Sequence, residues 1–362
     1  MAPIQINEKK DNISVNDSEP KKGAKTLKFG MSFGETEKVS PEIFQATERK
    51  LRSQKFDDWR DDLLENGFAL VKGAMSPQKA KQYQQRAFQW ATSFGTELNF
   101  SKPNTWTKEN IPAQEKLNIF MGNAILHEKF MWDIRTDDDV IKPFLDFYGT
   151  NDLLVSFDTL NITFPNRKDK APIGKWPHVD QSPFKKGLQC VQGLVSLSKQ
   201  GEKDGGLVVY KKSHKYNEEF FKTQVPREQW DTFDWYSFSD ENMQFLAEKN
   251  CDEIKISCEP GDMILWDSRT CHWGKEPDND SQELRTVVYV SYSPRYFSTE
   301  ETLQHKRKAF EQWSGTTHWS HDNIIFSPNQ FEEGNGKLNA ATRLSPLEKP
   351  EMTTKLLRLA GY

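Results

Sequence analysis

From residue 152 onward the chain becomes a succession of short β-rich stretches, at 153–163, 188–198, 206–210, 254–258, 262–267 and 285–293. Turn residues separate them, notably Gly205-Gly206 and Pro260-Gly261-Asp262. Many short strands punctuated by turns bury their apolar faces most readily as an antiparallel sandwich or barrel. The expected fold is therefore mainly β with flanking helices: a double-stranded β-helix, that is a jelly-roll or cupin-like barrel. A polar, helix-containing insertion at 215–250 interrupts the strands.

Upstream the pattern is helical. Ser40-Pro41-Glu42 reads as a helix start, a hydroxyl cap followed by Pro at the first helical position. Phe44, Leu51, Phe56, Trp59 and Leu63 recur at helix-like intervals up to the stop at Asn66-Gly67. A strand over 68–71, a helix opened by Ser76-Pro77 and a third helix around 139–147 follow. Residues 1–25 are polar and aperiodic, the pattern of a disordered tail. After 297, Ser298-Thr299-Glu300-Glu301 is read as a capping box opening a helix to about Trp313. The expected organisation is one domain at 26–297, with a helical layer at 40–150 and the barrel at 151–297. A helical and loop extension at 298–362 packs on it.

Charge and composition exclude several classes. The 49 basic and 53 acidic side chains leave a formal charge of −4, against a general nucleic-acid binder. The run His305-Lys306-Arg307-Lys308 is most simply a solvated helix face. No apolar run approaches the roughly 18 residues of a membrane span. Residues 1–10 carry no apolar signal-peptide core, and Leu359-Ala360-Gly361-Tyr362 is not an SKL-type peroxisomal address. Four cysteines (190, 251, 258, 271) without a CxxC form neither a disulfide framework nor a zinc motif. A cytoplasmic protein with no obligate protein partner is expected, and its partner is a small molecule.

Of seven histidines, only His178 has an acidic residue two positions on, in His178-Val179-Asp180. In extended chain, residues i and i+2 share a face, so an imidazole and a carboxylate can meet one ion. His272 follows a strand 94 residues later. Two His and one carboxylate leave open positions on a metal, an arrangement suited to non-haem Fe(II) oxygenases. The alternative is a strand-end His hydrogen-bonded to its neighbouring Asp. Arg285 heads Arg285-Thr286-Val287-Val288-Tyr289-Val290-Ser291, whose alternation puts Arg285, Val287, Tyr289 and Ser291 on one face. A guanidinium inside an apolar barrel needs an anionic partner, either a ligand carboxylate or a protein one.

Three stretches resemble the phytanoyl-CoA dioxygenase family of iron- and 2-oxoglutarate-dependent oxygenases. They are Glu65-Asn66-Gly67-Phe68-Ala69-Leu70-Val71-Lys72-Gly73 with Ser76-Pro77, then Trp176-Pro177-His178-Val179-Asp180-Gln181-Ser182-Pro183, and Pro260-Gly261-Asp262-Met263-Ile264-Leu265-Trp266-Asp267 through His272. Together they span about 60–295. The resemblance implies that His178, Asp180 and His272 bind Fe(II) and that Arg285 binds the distal carboxylate of 2-oxoglutarate. With O2, the cosubstrate would be decarboxylated to succinate and CO2 while a small-molecule C–H bond is hydroxylated or otherwise oxidised. A carboxylate at 180 argues against halogenation. Alternatives are a non-oxidative metal-dependent cupin enzyme, an isomerase or hydrolase, and a catalytically silent binding barrel.

The chain departs from the family at Tyr210-Lys211-Lys212-Ser213-His214, where His214 is read as a turn residue and not a ligand. Val287 stands where related oxygenases place a Ser that supports 2-oxoglutarate, so another polar group must help. Asn161 and Gln192 are the candidates, each alternatively satisfying a backbone group. Trp176 either lines the cofactor pocket or is a core residue. Phe130 to Arg135 is read as helix–barrel packing. Phe184 with Lys185-Lys186 lies on an expected mobile loop, the lysines as ordinary surface. Cys190 and Cys271 are read as small core residues.

Overall fold

The computed structural model describes residues 31–32, 38–322, 325–326 and 342–362. The tail expected at 1–25 lies outside the described residues. In chain order come β1 (Met31–Ser32), α1 (Pro41–Arg52), α2 (Trp59–Asn66), β2 (Phe68–Val71), α3 (Pro77–Thr92), β3 (Ile119–Phe120), α4 (Lys129–Arg135) and α5 (Asp138–Tyr148). Next are β4 (Leu153–Val155), β5 (Leu160–Thr163), β6 (His178–Val179), β7 (Val191–Ser196), β8 (Gly206–Tyr210), α6 (Ser213–Gln224), β9 (Tyr236–Ser237) and α7 (Asp240–Glu248). The last are β10 (Glu253–Lys255), β11 (Met263–Asp267), β12 (His272–Lys275), β13 (Arg285–Tyr289), β14 (Tyr292–Pro294), α8 (Glu300–Glu311), β15 (Ile325–Phe326) and α9 (Thr354–Leu359). Among the described residues no helix is long and apolar enough to cross a membrane.

Two antiparallel sheets form the walls of the jelly roll, in the orders β2-β11-β7-β13-β5-β3 and β10-β8-β12-β6-β9. Period-two alternation decides what each strand contributes. Leu194 of β7, Ile264 and Trp266 of β11 and Val287 of β13 meet Leu207 and Val209 of β8 between the sheets. The intervening residues Val191, Val195, Met263, Leu265 and Val288 face the other way. They pack with Ala87 and Trp90 of α3 and Phe144 of α5, the expected helical layer. Ala309 and Phe310 of α8 and Leu356 and Leu359 of α9 join the same cluster. The outer face of the smaller sheet, through Val208, Tyr210 and Trp273, is covered by Phe220 and Phe221 of α6 and Phe245 of α7. The insertion at 215–250 is thus a second covering layer.

Several expectations change. The helix read through Asn66 is two helices. The Asp61 carboxylate accepts the backbone N–H groups of Phe56 at 3.1 Å and Asp57 at 2.8 Å, Asp57 takes φ 57°, and Asp58 caps α2. Those bonds outcompete helix continuation. The cap of α8 is Thr299 with Thr302, one residue later than read. Lys306 is not on a solvated face. It is buried in α8, its ammonium donating to the Val155 carbonyl above the Phe157 ring at 4.2 Å. All four cysteines are buried and free, which agrees with the core reading of Cys190 and Cys271.

Candidate metal and 2-oxoglutarate site

His178 pairs directly with His272 across β6 and β12. Their sequence neighbours Val179, Cys271 and Trp273 belong to the outer cluster, so alternation turns both imidazoles inward. Asp180 follows two residues after His178. One donor atom from each of His178, Asp180 and His272 lies within 4.8 Å of the others, and all three side chains are buried. The Nε2 atoms of His178 and His272 stand 3.5 and 3.2 Å from the Asp180 carboxylate.

The remaining ring nitrogens have local partners. His178 Nδ1 donates to the Trp176 carbonyl at 3.1 Å, and His272 Nδ1 donates to the Thr270 carbonyl at 2.9 Å. Both bonds run to the residue two positions earlier, and they leave each Nε2 lone pair facing the common point. Burial, reinforced by His272, pushes the His178 imidazole down to about 4, so it is neutral and able to ligate near neutral pH. Burial opposes ionisation of Asp180. The imidazoles of His178, His318 and His272 outweigh that and hold the carboxyl well below its usual range. Two imidazoles with inward Nε2 atoms and one carboxylate fit a divalent iron ion.

Arg285 is buried at the start of β13, on the facing sheet. Its Nε donates to Gln200 Oε1 at 2.8 Å and its Nη1 to Asn161 Oδ1 at 3.0 Å. Both partners are neutral amides. Among the described residues no carboxylate comes within 4.0 Å of the guanidinium.

The other expected residues divide. Asn161 Oδ1 accepts from Arg285, and its Nδ2 donates to the Leu117 carbonyl. Gln192 has a different partner. Its Nε2 donates to Asp180 Oδ2 at 2.9 Å, because β7 carries it opposite the metal carboxylate. Trp176 stacks on His178, ring centroids 4.6 Å apart and 9° from parallel, and its indole N–H donates to the Gly274 carbonyl. It backs a ligand. His214 is buried at the start of α6 with Nε2 bonded to the Leu64 carbonyl, a structural role. Arg135 donates to the Leu126 and Asp158 carbonyls, the packing role read for that helix.

Lys185 is a correction. It is buried, pairing with Asp234 at 2.6 Å and Asp322 at 3.1 Å above the Trp319 ring at 3.5 Å. A lysine is stable there only because two carboxylates and an aromatic face meet it.

Sequence reasoning missed Gln200, Trp235 and His318. Trp235, from the insertion, lies 6.0 Å from the His178 ring. His318, from the C-terminal extension, has a buried Nε2 without a hydrogen-bond partner among the described residues, and it is close enough to Asp180 to help hold that carboxyl down. Neither belongs to a motif. The only signal was aromatic density in segments outside the strands.

Fold and site together define a class: a cupin-like double sheet with an inward His/Asp/His set, as in 2-oxoglutarate oxygenases. Residues 63–287, more than half of the chain, match the phytanoyl-CoA dioxygenase (PhyH) family, and the chain belongs to it. The "Ava biosynthesis cluster protein O" of Aspergillus versicolor is 32% identical over 301 residues, covering 80% of this chain and 96% of that protein. A candidate oxidoreductase from Salmonella typhimurium LT2 shares the fold at TM-score 0.57 and 12% identity, with 89% of each chain covered. EctD from S. alaskensis, crystallised with 2-oxoglutarate and 5-hydroxyectoine, aligns at TM-score 0.45 and 11% identity, covering 74% of this chain and 88% of that one. The protein is a 2-oxoglutarate-dependent enzyme of the oxidoreductase type, with iron as its metal.

Proposed function

We propose that the protein hydroxylates, or otherwise oxidises, a C–H bond of a small molecule while 2-oxoglutarate and O2 become succinate and CO2. In this reading His178, Asp180 and His272 hold Fe(II), and Arg285 binds the distal carboxylate of 2-oxoglutarate. Bound iron supplies chelation of the 2-oxo acid and activation of dioxygen. The chain's own groups do the rest. The two backbone-anchored imidazoles present their Nε2 atoms without reorganising. Trp176 and Trp235 flank His178 and limit water near it. The Lys185 cluster fastens the loop after Asp180 to the insertion and the C-terminal extension.

The observation that carries the reading is the company of Arg285: buried, yet among the described residues bonded only to neutral amides. A buried guanidinium without a counter-ion is costly unless a ligand brings the anion. A non-oxidative metal barrel would instead neutralise this arginine with its own carboxylate. The test is optical. Under anaerobic conditions, protein with Fe(II) and 2-oxoglutarate should develop a visible charge-transfer band, and Asp180→Ala should not. Absence of the band in the unmodified protein sinks the reading. Its presence, followed by succinate formation on admitting O2 with a metabolite mixture, supports it.

A further inference from the structure

Three buried amides stand on the larger sheet near the site: Asn161 on β5, Gln192 on β7 and Gln200 just beyond β7. A buried amide that lacks partners costs about 1–3 kcal/mol, so its presence in an aliphatic interior calls for a task. Their partners sort them into two sets. Asn161 and Gln200 both accept from Arg285. Each is itself anchored, Asn161 by the Thr163 hydroxyl at 2.9 Å, and Gln200 by bonds to Ser196 Oγ at 2.6 Å and Cys258 Sγ at 3.1 Å. Gln192 has no part in that network and donates to Asp180.

The need for Gln192 follows from how the three ligand side chains are held. His178 and His272 are each oriented by the carbonyl two residues earlier, just before their strands. Asp180 has no such local device. Its backbone N–H donates to the Ser268 carbonyl, which fixes the main chain and leaves the carboxylate free to rotate. Among the described residues, Gln192 is the only amide or hydroxyl that bonds the Asp180 carboxylate, and it comes from the opposite sheet. A Cβ at the adjacent Gly193 would sit 2.6 Å from the Val290 carbonyl oxygen, so β7 runs closer to the chain just past β13 than a side chain permits.

We infer that Gln192 is a positioning residue for the metal carboxylate, while Asn161 and Gln200 position the Arg285 guanidinium, so that separate amides set the two halves of the site. The inference rests on the metal and cosubstrate assignments proposed above and adds a division of labour within one sheet. It predicts two losses that occur independently of each other.

The experiment is an anaerobic titration of metal-free protein with Fe(II), read by equilibrium dialysis, beside 2-oxoglutarate binding to the metal-saturated protein. Gln192→Leu should weaken Fe(II) binding about 10–100-fold, the range for loss of a group that orients a ligand. Its 2-oxoglutarate affinity once iron is saturating should be unchanged. Gln200→Leu should do the reverse. Gln192→Asn, too short to reach Asp180, should follow the leucine variant. Gln192→Met, unbranched and without a donor, carries the same test if leucine fails to fold, as judged by thermal melting of the metal-free protein. If Gln192→Leu and Gln192→Met bind Fe(II) as the unmodified protein does, while Asp180→Ala does not, the role of Gln192 is overturned and the metal site stands. If Asp180→Ala also binds Fe(II) normally, the metal site itself is wrong and the inference falls with it.

Discussion

Two buried arginines, Arg269 and Arg285, occupy opposite electrostatic situations. Arg269 lies in the turn between β11 and β12, where its guanidinium pairs with Asp267 at 2.6 Å and with Glu48 of α1 at 2.9 Å. Burial alone would disfavour its charge, but Asp267 and Glu48 outweigh that and raise its pKa. Arg285 is at least as buried and has only amide oxygens. The first arginine is saturated by the protein and ties α1 to the turn that delivers His272. The second is held in place by amides, and among the described residues it has no counter-ion. A buried cation with carboxylates ties elements of the fold together, and the proposed function gives the one with amides an incoming anion.

Removing each arginine should separate these roles. The largest effect is expected for Arg269→Met, which strands the buried Asp267 carboxylate and leaves half-buried Glu48 with Arg52 as its remaining cation, and should cost about 3–5 kcal/mol in urea unfolding. A loss under 1 kcal/mol would erase the contrast. Arg285→Leu should cost less, about 1–3 kcal/mol, because it removes a donor from the amide oxygens of Gln200 and Asn161 and strands no carboxylate. It should also weaken 2-oxoglutarate binding by about 2–5 kcal/mol, more than tenfold, in calorimetry on iron-loaded protein. The smallest effect concerns acid. The pKa values of both Glu48 and Asp267 are lowered: burial pushes them up, and Arg269 more than compensates. The unfolded chain therefore takes up protons first as pH falls. Their stabilisation is complete above the ordinary carboxylate range of about 4 and is lost as pH drops through the folded values. Stability measured from pH 6 to pH 3 should fall less steeply in Arg269→Met than in the unmodified protein or Arg285→Leu. Equal slopes would place the acid response elsewhere.

The sequence carries the inward half of this contrast but not the partners. Arg285 could be placed on an inner face because alternation along one strand is local, and His178 with Asp180 for the same reason. That Gln200 and Asn161 meet Arg285, while Gln192 meets Asp180, depends on cross-strand register and on which sheet faces which. No spacing in the chain encodes that. The split of α1 from α2 was hidden because apolar periodicity continues across a break made by one Asp61 side chain. Lys185 and Lys306 were misread for a related reason. A lysine is expected in water until a remote partner is known, and theirs lie far away in sequence: Asp322 for one, the Val155 carbonyl for the other. His318 and Trp235 reach the site from segments with no strand pattern at all.

The Lys185 cluster has a consequence for the order in which the protein matures. Every group assigned to metal or cosubstrate has been synthesised once the ribosome reaches residue 285. Lys185, however, acquires Asp234 well before it acquires Asp322 and the face of Trp319. A growing chain can therefore assemble the barrel and its ligands while the loop beside Asp180 remains half-fastened. The loop beside Asp180 should then be fully fastened only once residues 319–322 have docked.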